Sequence, residues 1–156
     1  MDCGFCKDGN WFRYRAAAII IEDGCVLAAK NDRFSYYYSV GGAVEHFETS
    51  ANAVEREVFE ETGVHYEVDR LKFIHENFFG EQEDKGERCH EVTFYYLMKP
   101  RGSKELHDDG YCLDGVREHM VWIPIEKYAE YDAYPRFFAE KLKDLSGGIE
   151  HIITRE

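Results

Sequence analysis

Three glutamates, Glu57, Glu60 and Glu61, follow one another at spacings of three and four residues, so in a helix turning 100° per residue they share one sector. Like charges crowded this way oppose helix formation by roughly 0.2–0.5 kcal/mol per pair unless something positive lies between them. A hard divalent cation, which takes carboxylate oxygens and keeps several waters, meets that need. Just upstream stand Gly41 and Gly42, whose missing side chains let a ligand approach the backbone closely.

These residues need a helix and a sheet to hold them. Thr49 and Ser50 suit a helix N-cap, and Thr62-Gly63 supplies a glycine for the left-handed C-terminal position. Ala51, Val54 and Val58 form the stripe expected to be buried, beside the acidic sector. Ahead of the helix, residues 14–22 and 26–30 read as strands joined by an Asp23-Gly24 turn, and residues 34–40 as a short aromatic strand. Tyr36, Tyr37 and Tyr38 could stack on a base, but strand aromatics usually pack in the core or across strands, and that reading is favoured. Beyond the helix, strands are expected over 64–79, with a break near Asp69-Arg70, then over 91–98, 118–123 and 149–154. Helices are expected over 125–131 and 135–145, and residues 101–115 form a loop long enough to suggest a function. The sum is an α+β or layered αβα arrangement, a mixed sheet around one central helix.

Composition sets the outer bounds. A chain of 156 residues suits one domain, 1–156, with residues 1–12 as a peripheral N-terminal segment. Its longest aliphatic run, residues 16–21, is far short of the roughly 20 residues a membrane span needs. Asp2, Lys7 and Asp8 with no signal-like apolar stretch argue against secretion. Acidic residues outnumber basic ones 31 to 19, so general binding to nucleic acid is disfavoured. Five cysteines, an odd number, fit no disulfide framework and suit a reducing cytoplasm. Cys3 and Cys6 form a Cys-x-x-Cys pair, but with no second pair two free thiols are favoured over a zinc site.

Read by spacing, Gly42 is followed by Glu48, Arg56, Glu57, Val58, Glu60, Glu61, Gly63 and Val64. This resembles the Nudix hydrolase signature, Gly-x5-Glu-x7-Arg-Glu-U-x-Glu-Glu-x-Gly-U with U a bulky aliphatic residue, at every fixed position. The resemblance implies an αβα sandwich with a loop-helix-loop metal site and Mg²⁺- or Mn²⁺-dependent hydrolysis of a nucleoside diphosphate linked to another group. It makes Glu60, Glu61 and the Gly41 carbonyl metal ligands, Glu57 a ligand or the base that activates water, and Arg56 with Glu48 the ion pair that orients Glu57. ADP-ribose, other nucleotide sugars, dinucleotides and nucleoside triphosphates are all compatible substrates.

Members of that family often carry Pro and Gly where this chain has Val40 and Phe47, so an altered loop is expected, with Phe47 narrowing the site. A further glutamate from outside the signature is expected. Glu118 is the first choice, with Glu91, Glu81 and Glu83 as rivals and a surface salt bridge as the plain alternative for Glu118. Arg13, Arg15, Lys30 and Arg33 are candidates for phosphate contacts. Two other classes share the fold: a nucleotide-ligand sensor without turnover, and an isomerase. A homodimer formed through the N-terminal segment or the aromatic strands is compatible with the sequence.

Overall fold

The computed structural model describes residues 1–80, 87–107 and 115–156. It begins with β1 (Gly4–Lys7), β2 (Asn10–Ile19), β3 (Ile21–Glu22), β4 (Cys25–Asn31), β5 (Tyr38–Ser39) and β6 (Gly41–Ala43). There follow α1 (Ser50–Thr62), β7 (Val68–Phe79), β8 (Arg88–Met98), β9 (Glu118–Pro124), a 3₁₀ stretch (Ile125–Glu130), α2 (Phe138–Lys141) and β10 (Glu150–Arg155). Among the described residues no helix is long and apolar enough to cross a membrane.

The larger sheet runs β1-β2-β8-β7-β10, with β6 also on β2; the smaller joins β3, β4 and β5, with β9 on the other edge of β4. Along β2 the side chains alternate between two cores, as a strand's pleat requires. Ala16 and Ala18 face α1 with Val54, Val58 and Tyr96. Ala17 and Ile19 face Phe73, Tyr95, Tyr128 and Phe138. The sheets therefore lie between α1 and the later helical turns, the expected αβα layering.

The local signals act as expected at several points. Asp23 and Gly24 have φ of 49° and 71° in the turn between β3 and β4, the paired positive values of a tight hairpin. β7 loses register between Val68 and Arg70 and again between Leu71 and Phe73, a bulge where a break was expected. The N-terminal segment is peripheral and exposed along β1, yet it is anchored: the Cys3 N–H donates to Val44 O and the His46 N–H to Met1 O, each at 2.8 Å. Cys3 and Cys6 are free thiols there; Cys112 lies outside the described residues. The start of the 101–115 loop is pinned by the buried Glu22 carboxylate, which accepts from the Gly102 N–H at 3.0 Å and the Tyr66 hydroxyl at 3.1 Å.

Two expected helices are shorter than the sequence suggests. Of residues 125–131, Ile125–Glu130 form the 3₁₀ stretch, and of residues 135–145 only Phe138–Lys141 is α-helical. Phe137 and Phe138 both pack on Phe73, with ring centroids 5.2 and 6.4 Å away. A continuous helix splays adjacent side chains 100° apart, so seating both in one aromatic cluster leaves a single turn. Asp144 then accepts from the Ser146 N–H at 2.9 Å and turns the chain.

Thr49 caps α1 by accepting from the Asn52 N–H at 3.1 Å. Gly63 ends the helix at φ 71°, and a β-carbon there would strike the backbone carbonyl of His107. Gly63→Ala combines that clash with a left-handed backbone, and a loss of about 2 kcal/mol or more is expected in urea denaturation. An unchanged midpoint would mean the His107 backbone gives way freely.

Candidate active site

The buried row of α1 sets the site. Ala53, Val54, Val58 and Thr62 are the buried residues of the helix, while Ala51 is half-buried, so the stripe is centred slightly off the expected one. Glu61 lies seven residues after Val54, two turns further along the same row, and is thereby carried against the sheet. Glu57 flanks that row and Glu60 falls outside it. The three glutamates thus separate: Glu57 and Glu61 are half-buried, and Glu60 is exposed.

Each inner carboxylate has a defined seat. Glu61 Oε2 accepts from the Gly41 N–H at 3.1 Å. The carboxylate of Glu57 rests on Gly42, where any β-carbon would overlap it. That close approach is the physical reason for glycine at the head of the motif. Burial raises the pKa of Glu61 well above the ordinary carboxylate range, helped by the negative charges of Glu118 and Glu57. Burial also raises Glu57, against the pull of Arg56. The structure therefore brings Glu118, from β9, beside Glu61, from α1, and leaves the two carboxylates repelling each other. The Tyr38 hydroxyl donates to Glu118 Oε2 at 2.6 Å.

Arg56 is the hub of the outer half. Its Nε and Nη2 donate to the two Glu48 oxygens at 2.8 and 3.0 Å, Nη1 to Glu57 Oε1 at 2.8 Å and to Glu60 Oε2 at 3.3 Å, and Nη2 also to Ala43 O at 3.1 Å. The fork on Glu48 holds that carboxyl below its ordinary pKa. Phe47 does not narrow the site: it is 98% exposed, with φ 66°. That left-handed backbone accounts for a glycine being the easier residue at this position.

A second arginine stands on the inner side. Arg15 Nη2 donates to Gly41 O at 3.3 Å, while Nη1 lies 3.8 Å from Glu91. Arg13 pairs with the same buried Glu91 at 3.2 Å, which accounts for Glu91 as a structural anion. Glu81 and Glu83 lie outside the described residues. Lys30 sits over the Tyr37 ring at 5.1 Å.

Arg13, Arg15, Tyr38 and Glu91 also line a cavity of about 730 Å³ on the sheet face opposite α1. Tyr38 through Glu118 and Arg15 through Gly41 join this cavity to the acidic cluster. The aromatic segment divides: Tyr36 and Tyr38 line the cavity, whereas Tyr37 packs on Tyr131 at 5.7 Å. His75, Asn77, Tyr134, Arg136 and Thr154 complete much of the lining, and sequence reasoning missed all five. A signal existed for two of them, since His75 and Asn77 are polar on the same face of a strand whose Phe73 is core.

Among the described residues no three His, Cys, Asp or Glu side chains stand close enough to hold one ion between them as they are placed. The donors nonetheless fit a hard divalent cation in kind and charge. They are carboxylate and backbone oxygens, with the two inner carboxylates, Glu57 and Glu61, raised in pKa chiefly by burial.

A NUDIX domain family model matches residues 11–142. A MutT-like protein of Streptomyces ambofaciens is 39% identical over 62 residues; the match spans only 40% of this chain and 40% of that relative's length. Among solved structures, a MutT protein of Bacillus halodurans superposes with a TM-score of 0.65 at 18% identity, covering 92% of this chain and 89% of its own. The MutT protein of Methanosarcina mazei gives 0.65 at 19%, covering 85% and 93%. An ADP-ribose pyrophosphatase of Streptococcus suis gives 0.58 at 13%, covering 91% and 98%. These structural likenesses establish a common fold.

Proposed function

Because the chain belongs to the Nudix family, its model matching residues 11–142, we propose that this hydrolase cleaves a phosphoanhydride in a nucleoside diphosphate linked to another group, with Mg²⁺ or Mn²⁺. The observation that carries the reading is the meeting of Glu57, Glu61 and Glu118 beside Gly41-Gly42, joined through Tyr38 and Arg15 to a cavity that Arg13 and Arg15 line.

In this reading Glu57, Glu60, Glu61 and the Gly41 carbonyl hold the metal, and Glu118 completes the anionic surround. A bound divalent ion would neutralise phosphate charge and make water acidic enough to ionise near neutral pH. Glu57, raised by burial, serves either as one of those ligands or as the base that takes the proton from that water. Arg56, held by Glu48, keeps Glu57 in place, and Arg15 and Arg13 face the phosphates from the cavity side. Residues 1–156 act as one domain, and the reducing cytoplasm suits its free thiols. ADP-ribose leads the substrate panel, since a protein of the same fold is an ADP-ribose pyrophosphatase.

The test is a panel of ADP-ribose, nucleotide sugars, dinucleoside polyphosphates and nucleoside triphosphates, with Mg²⁺ or Mn²⁺ and with excess EDTA. Released phosphate is read after phosphatase coupling. Turnover that EDTA abolishes is expected; binding without turnover under either metal would favour a sensor, and a rearranged intact product an isomerase.

Metal binding also has a pH signature. Because burial raises Glu61 above its unfolded pKa, its contribution to stability is full below the ordinary carboxylate range and is lost as pH rises through the raised value. A cation opposes that loss only when the carboxylate is ionised. The gain in melting temperature from excess Mg²⁺ should therefore grow between about pH 5 and about pH 8. A gain that is flat, or greatest at the acid end, counts against the cluster as the metal site.

A further inference from the structure

Arg15 touches both the acidic cluster and the cavity. It lies on β2 two residues from Ala17, hence on the same face of the strand, and its guanidinium reaches two seats. Nη1 stands 3.8 Å from Glu91 Oε1, and Nη2 donates to the Gly41 carbonyl at 3.3 Å. Backbone packing sets the second seat. β6 runs antiparallel to β2 with Gly41 opposite Ala17, and a β-carbon on Gly41 would strike the backbone of Ala16 and Ala17. The two backbones are therefore in close contact, and the Gly41 carbonyl is held beside the strand that carries the arginine.

Gly41 also joins Arg15 to the glutamates, since its N–H donates to Glu61 Oε2 at 3.1 Å. Burial opposes the charge of Arg15, whose side chain is only 17% exposed, but Glu91 foremost, with Glu61 and Glu57 contributing, outweighs burial and raises its pKa. The effect is mutual: burial raises Glu57 and Glu61, and Arg15 pulls both back toward their ionised forms. The protein thus supplies a positive charge of its own to the backbone oxygen and carboxylates that the reading above assigns to a divalent ion.

Two cations on one carbonyl oxygen are too close to ignore each other. A hard divalent ion binds oxygen at about 2.0–2.6 Å. A guanidinium nitrogen 3.3 Å from that oxygen then lies within about 6 Å of the ion, a separation at which like charges shift a binding equilibrium tenfold or more. The other seat has room to receive the arginine, because its 3.8 Å contact with Glu91 is still longer than a hydrogen bond.

We infer that Arg15 is the internal counter-ion of the Gly41 and Glu61 seat and competes there with a divalent cation, so that it lowers the affinity for the ion and leaves Gly41 for Glu91 as the ion enters. The inference rests on the metal reading of the cluster given above. It gives Arg15 the opposite sign to a residue that builds the metal site: removing it improves binding.

Mn²⁺ binding to the nucleotide-free protein tests it without turnover, read as loss of the free-ion EPR signal. Arg15→Met keeps an unbranched stem without charge or donor, and Glu91 retains Arg13 at 3.2 Å and the Thr93 hydroxyl at 3.1 Å. The variant should bind Mn²⁺ at least about tenfold tighter than wild type. Arg15→Lys, which keeps the charge, should stay within about threefold of wild type. So should Arg13→Met, which removes the charge paired with Glu91 at 3.2 Å instead of the one at Gly41. Should Arg15→Met fail to fold, wild type labelled with ¹⁵N-arginine decides. Its Arg15 guanidinium signal, identified by its loss in Arg15→Lys, should exchange faster with water once Mg²⁺ is added, because the bond to Gly41 is given up. Tightening below about threefold in Arg15→Met overturns the inference, as does equal tightening in Arg15→Lys or Arg13→Met, or a guanidinium whose exchange Mg²⁺ leaves unchanged. Mn²⁺ binding without a gain in Arg15→Met sinks only this inference; no binding of a divalent ion by any of these proteins sinks the metal reading with it.

Discussion

Glu61→Gln should lower the hydrolytic rate by roughly two to three orders of magnitude, while the metal-free variant melts at a higher temperature than wild type at about pH 8. The two effects have one cause. Glu61 continues the apolar row of Val54 and Val58, and its ionised form there is opposed by burial and by Glu118 and Glu57. Glutamine keeps the shape and can still accept from the Gly41 N–H, the bond Glu61 Oε2 makes at 3.1 Å. It removes only the charge, which costs the folded protein stability and serves the proposed cation. Steady-state kinetics with Mg²⁺ and a melt in EDTA check both halves. Unimpaired turnover would remove Glu61 from the metal set, and a lowered metal-free melting temperature would contradict its strained ionisation.

Arg56→Lys is the second large effect. The guanidinium serves Glu48, Glu57, Glu60 and the Ala43 carbonyl at once, and an ammonium cannot reproduce that planar fork. With the side chain only 27% exposed, partial loss of the network should cost about 2–3 kcal/mol, a fall in melting temperature of roughly 5–10 °C. Turnover should fall by about a hundredfold, mainly in kcat, since Arg56 holds Glu57 and does not face the cavity. A KM effect with kcat intact would instead place Arg56 on the substrate.

What the sequence reveals divides along the range of its signals. Thr49, Gly63 and the Asp23-Gly24 turn work through bonds and dihedrals spanning a few residues, so their types and order suffice to place them. Glu57 and Arg56 are legible for the same reason, as neighbours on one helix. The division between Glu60 and Glu61 is subtler: spacing puts both in one sector, but only the packing of Val54 and Val58 on the sheet decides which side of that sector turns inward. Glu118 could be nominated from its position near Trp122, yet its meeting with Glu61 depends on two sheets closing on each other. Arg15 with Glu91, and His75 with Thr154, depend on parallel registers, and a parallel pairing leaves no turn in the sequence to announce it. The helix expected over 135–145 fails because propensity says nothing of two adjacent phenylalanines sharing one aromatic cluster.

The parallel seam between β7 and β10 also bears on how the protein is made. Phe73 pairs with Glu150, so one edge of β7 waits for about 75 residues of synthesis, roughly 4–15 s at the usual pace of translation. Through that interval the β7 edge is a template open to other chains, and the His75–Thr154 bond, 2.7 Å long, does not yet exist. A strand that completes the cavity lining thus emerges from the ribosome well after the β7 edge it pairs with, and that lining is assembled only once residues 150–155 are out.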